Sequence, residues 1–369
     1  MKKVLGLVLM VLAACAAENA PATSTTADTL SIGQPMFARI NSTQNPQQPT
    51  PAYFYRIHSV ASFDSAFSYQ GVTYPYTMVG TPPAQGGTTI VPTVVVPTRF
   101  TFAGGLVLDG NDSVPGTLAS PVFQTASYST GTTQFGDAVQ RAEFWNQMST
   151  TYHVQLGRPV VQRTLDVAVP ADRGFAFPVG PDQYIGFIDI DWFYGTVRGM
   201  LGPAWKVDQF PIVLSHNVFL YIGDPSQCCV LGFHDAYLTG YNRVLNKFDA
   251  QTWAWASYSD PGFFGPVPIS DVHALSHEVS EWMNDPFTYN VVPPWQGNQA
   301  YGCSNALETG DPLVGHAYPV TTGGHTYYPQ TQALLPWFER LSPSNAIDGA
   351  YSYPDETALT QLPYDCTLQ

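Results

Sequence analysis

Apolar and polar positions change their spacing at definable points along the chain. Residues 88–101, Thr-Thr-Ile-Val-Pro-Thr-Val-Val-Val-Pro-Thr-Arg-Phe-Thr, are β-branched and predict strand, with the prolines at edges or bends. Over 137–150, Ala138, Ala142, Phe144, Trp145 and Met148 fall at helical spacing and predict the first helix. Strand character returns over 154–169 and 184–193, and 211–222 is a further apolar run. A second helix is expected over 269–285 and a third over 331–340. Neither an internal repeat nor a central linker interrupts this text. The pattern predicts one α+β domain over 33–369, with a β-rich N-terminal lobe over 33–130.

The first residues follow a different rule. Met1-Lys2-Lys3 is basic and 4–14 is apolar, which is too short for the ~20 residues a spanning helix needs. This is the pattern of an export signal. Its end, Leu12-Ala13-Ala14-Cys15, resembles the bacterial lipobox, which implies a signal over 1–15 and a lipid on Cys15. Residues 16–32 are small and polar and suit a tether. The expectation is an extracytoplasmic protein, held at the outer membrane or cell surface or secreted, that meets the membrane only through Cys15.

Composition narrows the class. Charged residues make up 11% against 44% hydrophobic, and 14 basic residues face 28 acidic ones, for a net charge of −14. A sequence-independent grip on nucleic acid phosphates is excluded by that balance. With Cys15 set aside, Cys228, Cys229, Cys303 and Cys366 allow two disulfides in three connectivities in an oxidising compartment. Strain in a vicinal bridge favours Cys228 and Cys229 each reaching to Cys303 or Cys366. No C-x-x-C spacing supports a cysteine zinc site.

The second predicted helix carries the chemistry. Ser270 suits its N-cap, Asp271 its positive end, and Pro286 its stop. Val272, Leu275, Val279, Trp282 and Met283 share one face, while His273, His277 and Glu281 line the other at i, i+4 and i+8. Two ligands one turn apart can bite one cation, and Glu278 lies ~100° round from His277. The plain alternative is a solvated face with an acid–histidine pair that needs no metal.

His277-Glu278-x-x-Glu281 resembles the zincin metallopeptidase signature His-Glu-x-x-His, with the second histidine replaced. The resemblance implies a zincin-like fold with an active-site helix, His277 and Glu281 as ligands, and Glu278 as general base. Glu308, in Leu307-Glu308-Thr309-Gly310-Asp311, is similar to the third ligand of the thermolysin-like group. Asp311 then either supports a histidine or ligates directly. His273 with His277 is an alternative i, i+4 pair. Zn2+ is the expected cation, but a His-Glu-Glu shell is acidic enough to favour Mn2+ or Ca2+ instead.

The wider run from Leu275 to Asp285-Pro286, with the Glu308–Asp311 segment, also resembles the EXORDIUM-like, phosphate-induced exported proteins. A Gly-x-His segment accompanies that pattern, here Gly232-Phe233-His234. His234 is either a carbonyl-polarising catalytic group or a structural histidine. His316 and His325 are weaker candidates, the latter in a Gly323-Gly324 turn. Asp189 and Asp191 would share one face of a strand, which suits a glycosidase pair or calcium. The combined expectation is a zinc metallopeptidase acting on peptide or protein. Its rival is a non-catalytic envelope protein with a structural ion.

Overall fold

The computed structural model describes residues 57–181, 183–201, 205–296 and 302–368. The expected signal, Cys15 and the tether lie outside the described residues. The fold is α+β, built on an eight-stranded sheet. Its main strands are β1 (Ile57–His58), β2 (Thr93–Thr101), β3 (Phe210–His216), β4 (Gly232–Asn242) and β5 (Lys247–Tyr258). In space they run β4-β5-β3-β2, with β4 antiparallel to β5 and the other pairs parallel. β1 lies parallel to the start of β5. β2, from the expected N-terminal lobe, thus runs through the principal sheet.

Among the described residues the three longest helices are α1 (Phe135–Glu143), α2 (Ile190–Leu201) and α3 (His273–Asn284). The central strands are apolar at successive positions because both faces are covered. Phe210, Ile212, Leu214, Ala254 and Ala256 point to the α3 side and cluster with Leu275, Val279, Trp282 and Met283. Val213, Phe233, Trp253 and Trp255 alternate to the other side and cluster with Phe193 and Val197 of α2. Phe210 stacks on Trp282 with ring centroids 3.6 Å apart. The small Ala254 and Ala256 side chains keep the floor under α3 low.

Several elements differ from expectation for local reasons. Pro97 sits inside β2, where the outer neighbour changes from Val160–Val161 to Leu165–Ala168, so its missing N–H falls at a gap between partners. The strand expected to reach residue 193 ends at Asp189, and α2 begins at Ile190. Asp189 accepts the Trp192 amide at the open helix end, and Asp191 lies on the helix, so no two-carboxylate strand face exists there. The first predicted helix runs Phe135–Glu143 and stops at Phe144. The third is only Leu335–Phe338, because Gln332–Ala333 pairs instead with Ser352–Tyr353.

α3 starts later than its sequence suggests. Asp271 takes a left-handed backbone, φ +46°, and its carboxylate accepts the Val272 and Tyr328 amides. Val272 therefore takes the cap position without a side-chain cap, and Ser270, whose hydroxyl bonds Asp271, does not cap the helix.

The disulfides also differ. Cys228 bonds Cys229, and Cys303 bonds Cys366. The reason is placement: Cys303 and Cys366 lie with Cα atoms 5.8 Å apart, which leaves the adjacent pair to each other. The 303–366 bridge spans 63 residues, and closing a loop of that length stabilises by about 4 kcal/mol in the chain-entropy picture. That loop carries Glu308, Asp311 and Gln330.

Candidate metal centre

Every residue of α3 is buried, polar face included. His277 is 0% exposed, Glu278 1% and Glu281 3%, so the solvated-face alternative is set aside. Two segments from the disulfide-closed loop cover this face. Gln330 bonds back to Ser276 Oγ through its backbone amide, and the Thr309 carbonyl accepts the Ala333 amide. The sheet supplies the rest, since Gly232 and His234 on β4 oppose Ala256 and Ala254 on β5 and share their α3-facing side.

His277 is held in one orientation. Gln330 Nε2 lies 2.6 Å from the Gly310 carbonyl, which can only accept, so the amide nitrogen points there. Gln330 Oε1 then faces His277 Nδ1 at 3.1 Å and accepts its hydrogen. The lone pair of the neutral ring is left on Nε2, which lies 3.0 Å from Glu281 Oε1 and 3.8 Å from Asp311 Oδ1. A ring nitrogen tied to a neutral acceptor, with the other nitrogen facing carboxylates, is the usual setting of a metal-ligating histidine.

His234 repeats the arrangement on the other side of Glu281. Its Nε2 lies 3.1 Å from the Asp285 carbonyl and donates to it. Nδ1 faces Glu278 Oε2 at 3.3 Å and Glu281 Oε2 at 3.7 Å. The ring is 3% exposed, so neither nitrogen is directed to solvent for polarising a substrate carbonyl.

Electrostatics follow from burial. Desolvation lowers His277 to a pKa of about 3. It raises Glu278, with Glu281, Glu308 and Asp311 adding like-charge repulsion. Glu281 is also raised by burial, opposed by a hydrogen bond with Glu308 and by the Gly310 and Asp311 amides. Among the described residues, the ion pairs of Glu278 and Glu281 are with His234 and His277. A divalent cation would relieve this concentration of negative charge.

Two glycines are required by contact. A Cβ on Gly310 would fall onto the His277 ring, and one on Gly232 would lie 2.7 Å from Glu278 Oε1. Gly310 also donates its amide to Glu281 Oε1 at 2.9 Å.

Of the residues expected from sequence, His277, Glu281 and Asp311 form one group of potential ligand atoms within 4.8 Å of one another, and His234, Glu278 and Glu281 form a second. Glu308 is buried against this cluster, bonded to Glu281, and belongs to neither group. His273 belongs to neither group; its Nδ1 faces the Tyr328 carbonyl at 3.1 Å, and the ring also bonds Gln330. His325 sits in an exposed hairpin against Tyr327. Gln330 had no signal in the sequence. Gly232 and Gly310 did, as the glycines of Gly232-Phe233-His234 and Glu308-Thr309-Gly310-Asp311. No known protein family, curated protein or solved structure matches this chain.

Proposed function

We propose that the chain is an exported metal-dependent hydrolase of zincin-like character, acting on peptide bonds and tethered through Cys15. The observation that carries the reading is the His277 Nε2 to Glu281 Oε1 approach of 3.0 Å, with Nδ1 locked by Gln330. His277, Glu281 and Asp311 would hold the cation, with Glu308 bracing Glu281. A divalent cation there supplies Lewis acidity toward a substrate carbonyl and acidifies water. The fit is favourable, because the donors are a neutral imidazole and carboxylates; Zn2+ suits the motif, and Mn2+ suits the acidic shell.

The chain's own groups divide the remaining work. Glu278 follows His277 in the zincin order, and its Oε1 has no hydrogen-bond partner, so this atom takes the proton. His234 Nδ1 lies 3.3 Å from Glu278 Oε2, beside the other oxygen of that carboxyl. The Asp311 side chain, 12% exposed, marks the side from which substrate would approach.

A peptide-library digestion with and without chelator tests the reading. Cleavage that chelator abolishes, and that falls by about 10²–10⁴-fold in Glu278→Gln, supports it. Cleavage that is indifferent to both overturns it. A structural ion in a non-catalytic envelope protein is favoured by one observation, the near-complete burial of His277 and Glu281. It predicts a cation-dependent rise in Tm with no cleavage.

A further inference from the structure

We infer that the centre holds two divalent cations, with Glu281 as the bridge between them. The inference rests on the metal-binding part of the proposed function and extends it to a second site formed by His234, Glu278 and Glu281.

The two groups of ligand atoms share Glu281 and no other residue. Its Oε1 faces His277 Nε2, and its Oε2 faces His234 Nδ1. A carboxylate that offers one oxygen to each side is the bridge seen in two-metal sites, where the ions lie ~3.5–4 Å apart.

The histidines argue the same way independently. His234 Nε2 is committed as a donor to the Asp285 carbonyl, just as His277 Nδ1 is committed to Gln330. Each neutral ring therefore turns its lone pair toward carboxyl oxygens, where a positive charge, either a proton or a cation, fits between them. On the His277 side that charge is the first cation. On the His234 side the same geometry asks for a second.

Charge balance agrees. Glu278, Glu281, Glu308 and Asp311 are 1%, 3%, 3% and 8% exposed. Carboxyl groups buried this closely together are stabilised by each cation they share. Glu278 uses Oε2 toward His234, and its Oε1, buried beside Gly232 and without a hydrogen-bond partner, remains available for the proton. The absence of a Cβ at Gly232 is what leaves room for that carboxylate. A site this rich in oxygen donors selects a hard cation such as Mn2+.

The test loads the chelator-stripped, disulfide-bonded protein with Mn2+ alone and reads stoichiometry by elemental analysis and spin coupling by electron paramagnetic resonance. Two ions per chain with an exchange-coupled spectrum are expected. One ion per chain with an uncoupled six-line spectrum overturns the second site and leaves the single-cation reading standing. No bound ion overturns both. His234→Gln is expected to bind one ion with an uncoupled spectrum, and retention of two coupled ions there removes His234 from the site. Should that variant fail to fold, the wild-type stoichiometry and spectrum decide alone.

Discussion

Gln330 dictates which nitrogen of His277 faces Glu281. The amide spends its N–H on the Gly310 carbonyl at 2.6 Å and turns its oxygen to His277 Nδ1 at 3.1 Å. The two residues lie 53 positions apart in the chain, so the orientation of the helix histidine depends on a segment far from the helix.

Replacing Gln330 by leucine removes that control. Partners of this kind typically contribute 10–100-fold to metal affinity. Gln330→Leu is expected to weaken Zn2+ or Mn2+ binding by about that factor, measured by competition with a fluorescent chelator. Unchanged affinity contradicts the orienting role.

Gly310→Ala places a methyl group against the His277 ring. The clash is with the His277 side chain, so relieving it moves the ring away from Gln330 and Glu281. A loss on the order of 1–3 kcal/mol is expected, together with weaker metal binding. Urea unfolding of the stripped and loaded protein separates the two effects. Gly262→Ala is no substitute control, since its φ of +99° adds backbone strain of its own.

Away from the centre, Glu143 on α1 gives a pH dependence with a definite sign. Burial raises its pKa from 4.5 to about 8, while its Oε2 accepts the Leu335 amide at 3.0 Å. The folded protein therefore holds a proton that the unfolded chain releases above pH 4.5. The stability this contributes is fully present below pH 4.5 and is lost as pH rises through about 8. The swing is on the order of 5 kcal/mol. Glu339, raised by burial to about 7, acts in the same direction. Glu143→Gln should flatten the curve, measured by urea unfolding of metal-free protein at pH 5 and 8.5. A wild-type stability that rises across this window contradicts the assignment.

How much of this was legible depended on how local each cause was. The α3 stripe was, because His277, Glu278 and Glu281 are related by helix geometry alone, and the apolar face from Leu275 to Met283 packs on the sheet as its spacing predicts. The partner segment was legible only as a neighbourhood. Glu308 and Asp311 both arrive at the site, and Asp311 joins His277 and Glu281 in one group of ligand atoms. The start of α3 was missed because Asp271 adopts a left-handed backbone to bond Tyr328, a contact 57 residues away in sequence. Asp189 and Asp191 were misread because one carboxylate opens a helix where the apolar alternation continues. Cysteine pairing was misjudged because local strain was weighed without knowing that Cys303 and Cys366 meet across the chain.

The central claim is that His277 and Glu281 grip a cation together. An anomalous difference map from crystals of the protein loaded with Zn2+ or Mn2+ tests it most directly. The account predicts a peak about 2.0–2.2 Å from both His277 Nε2 and Glu281 Oε1, lost in Glu281→Gln. A loaded, folded protein whose map is empty between those two atoms contradicts it.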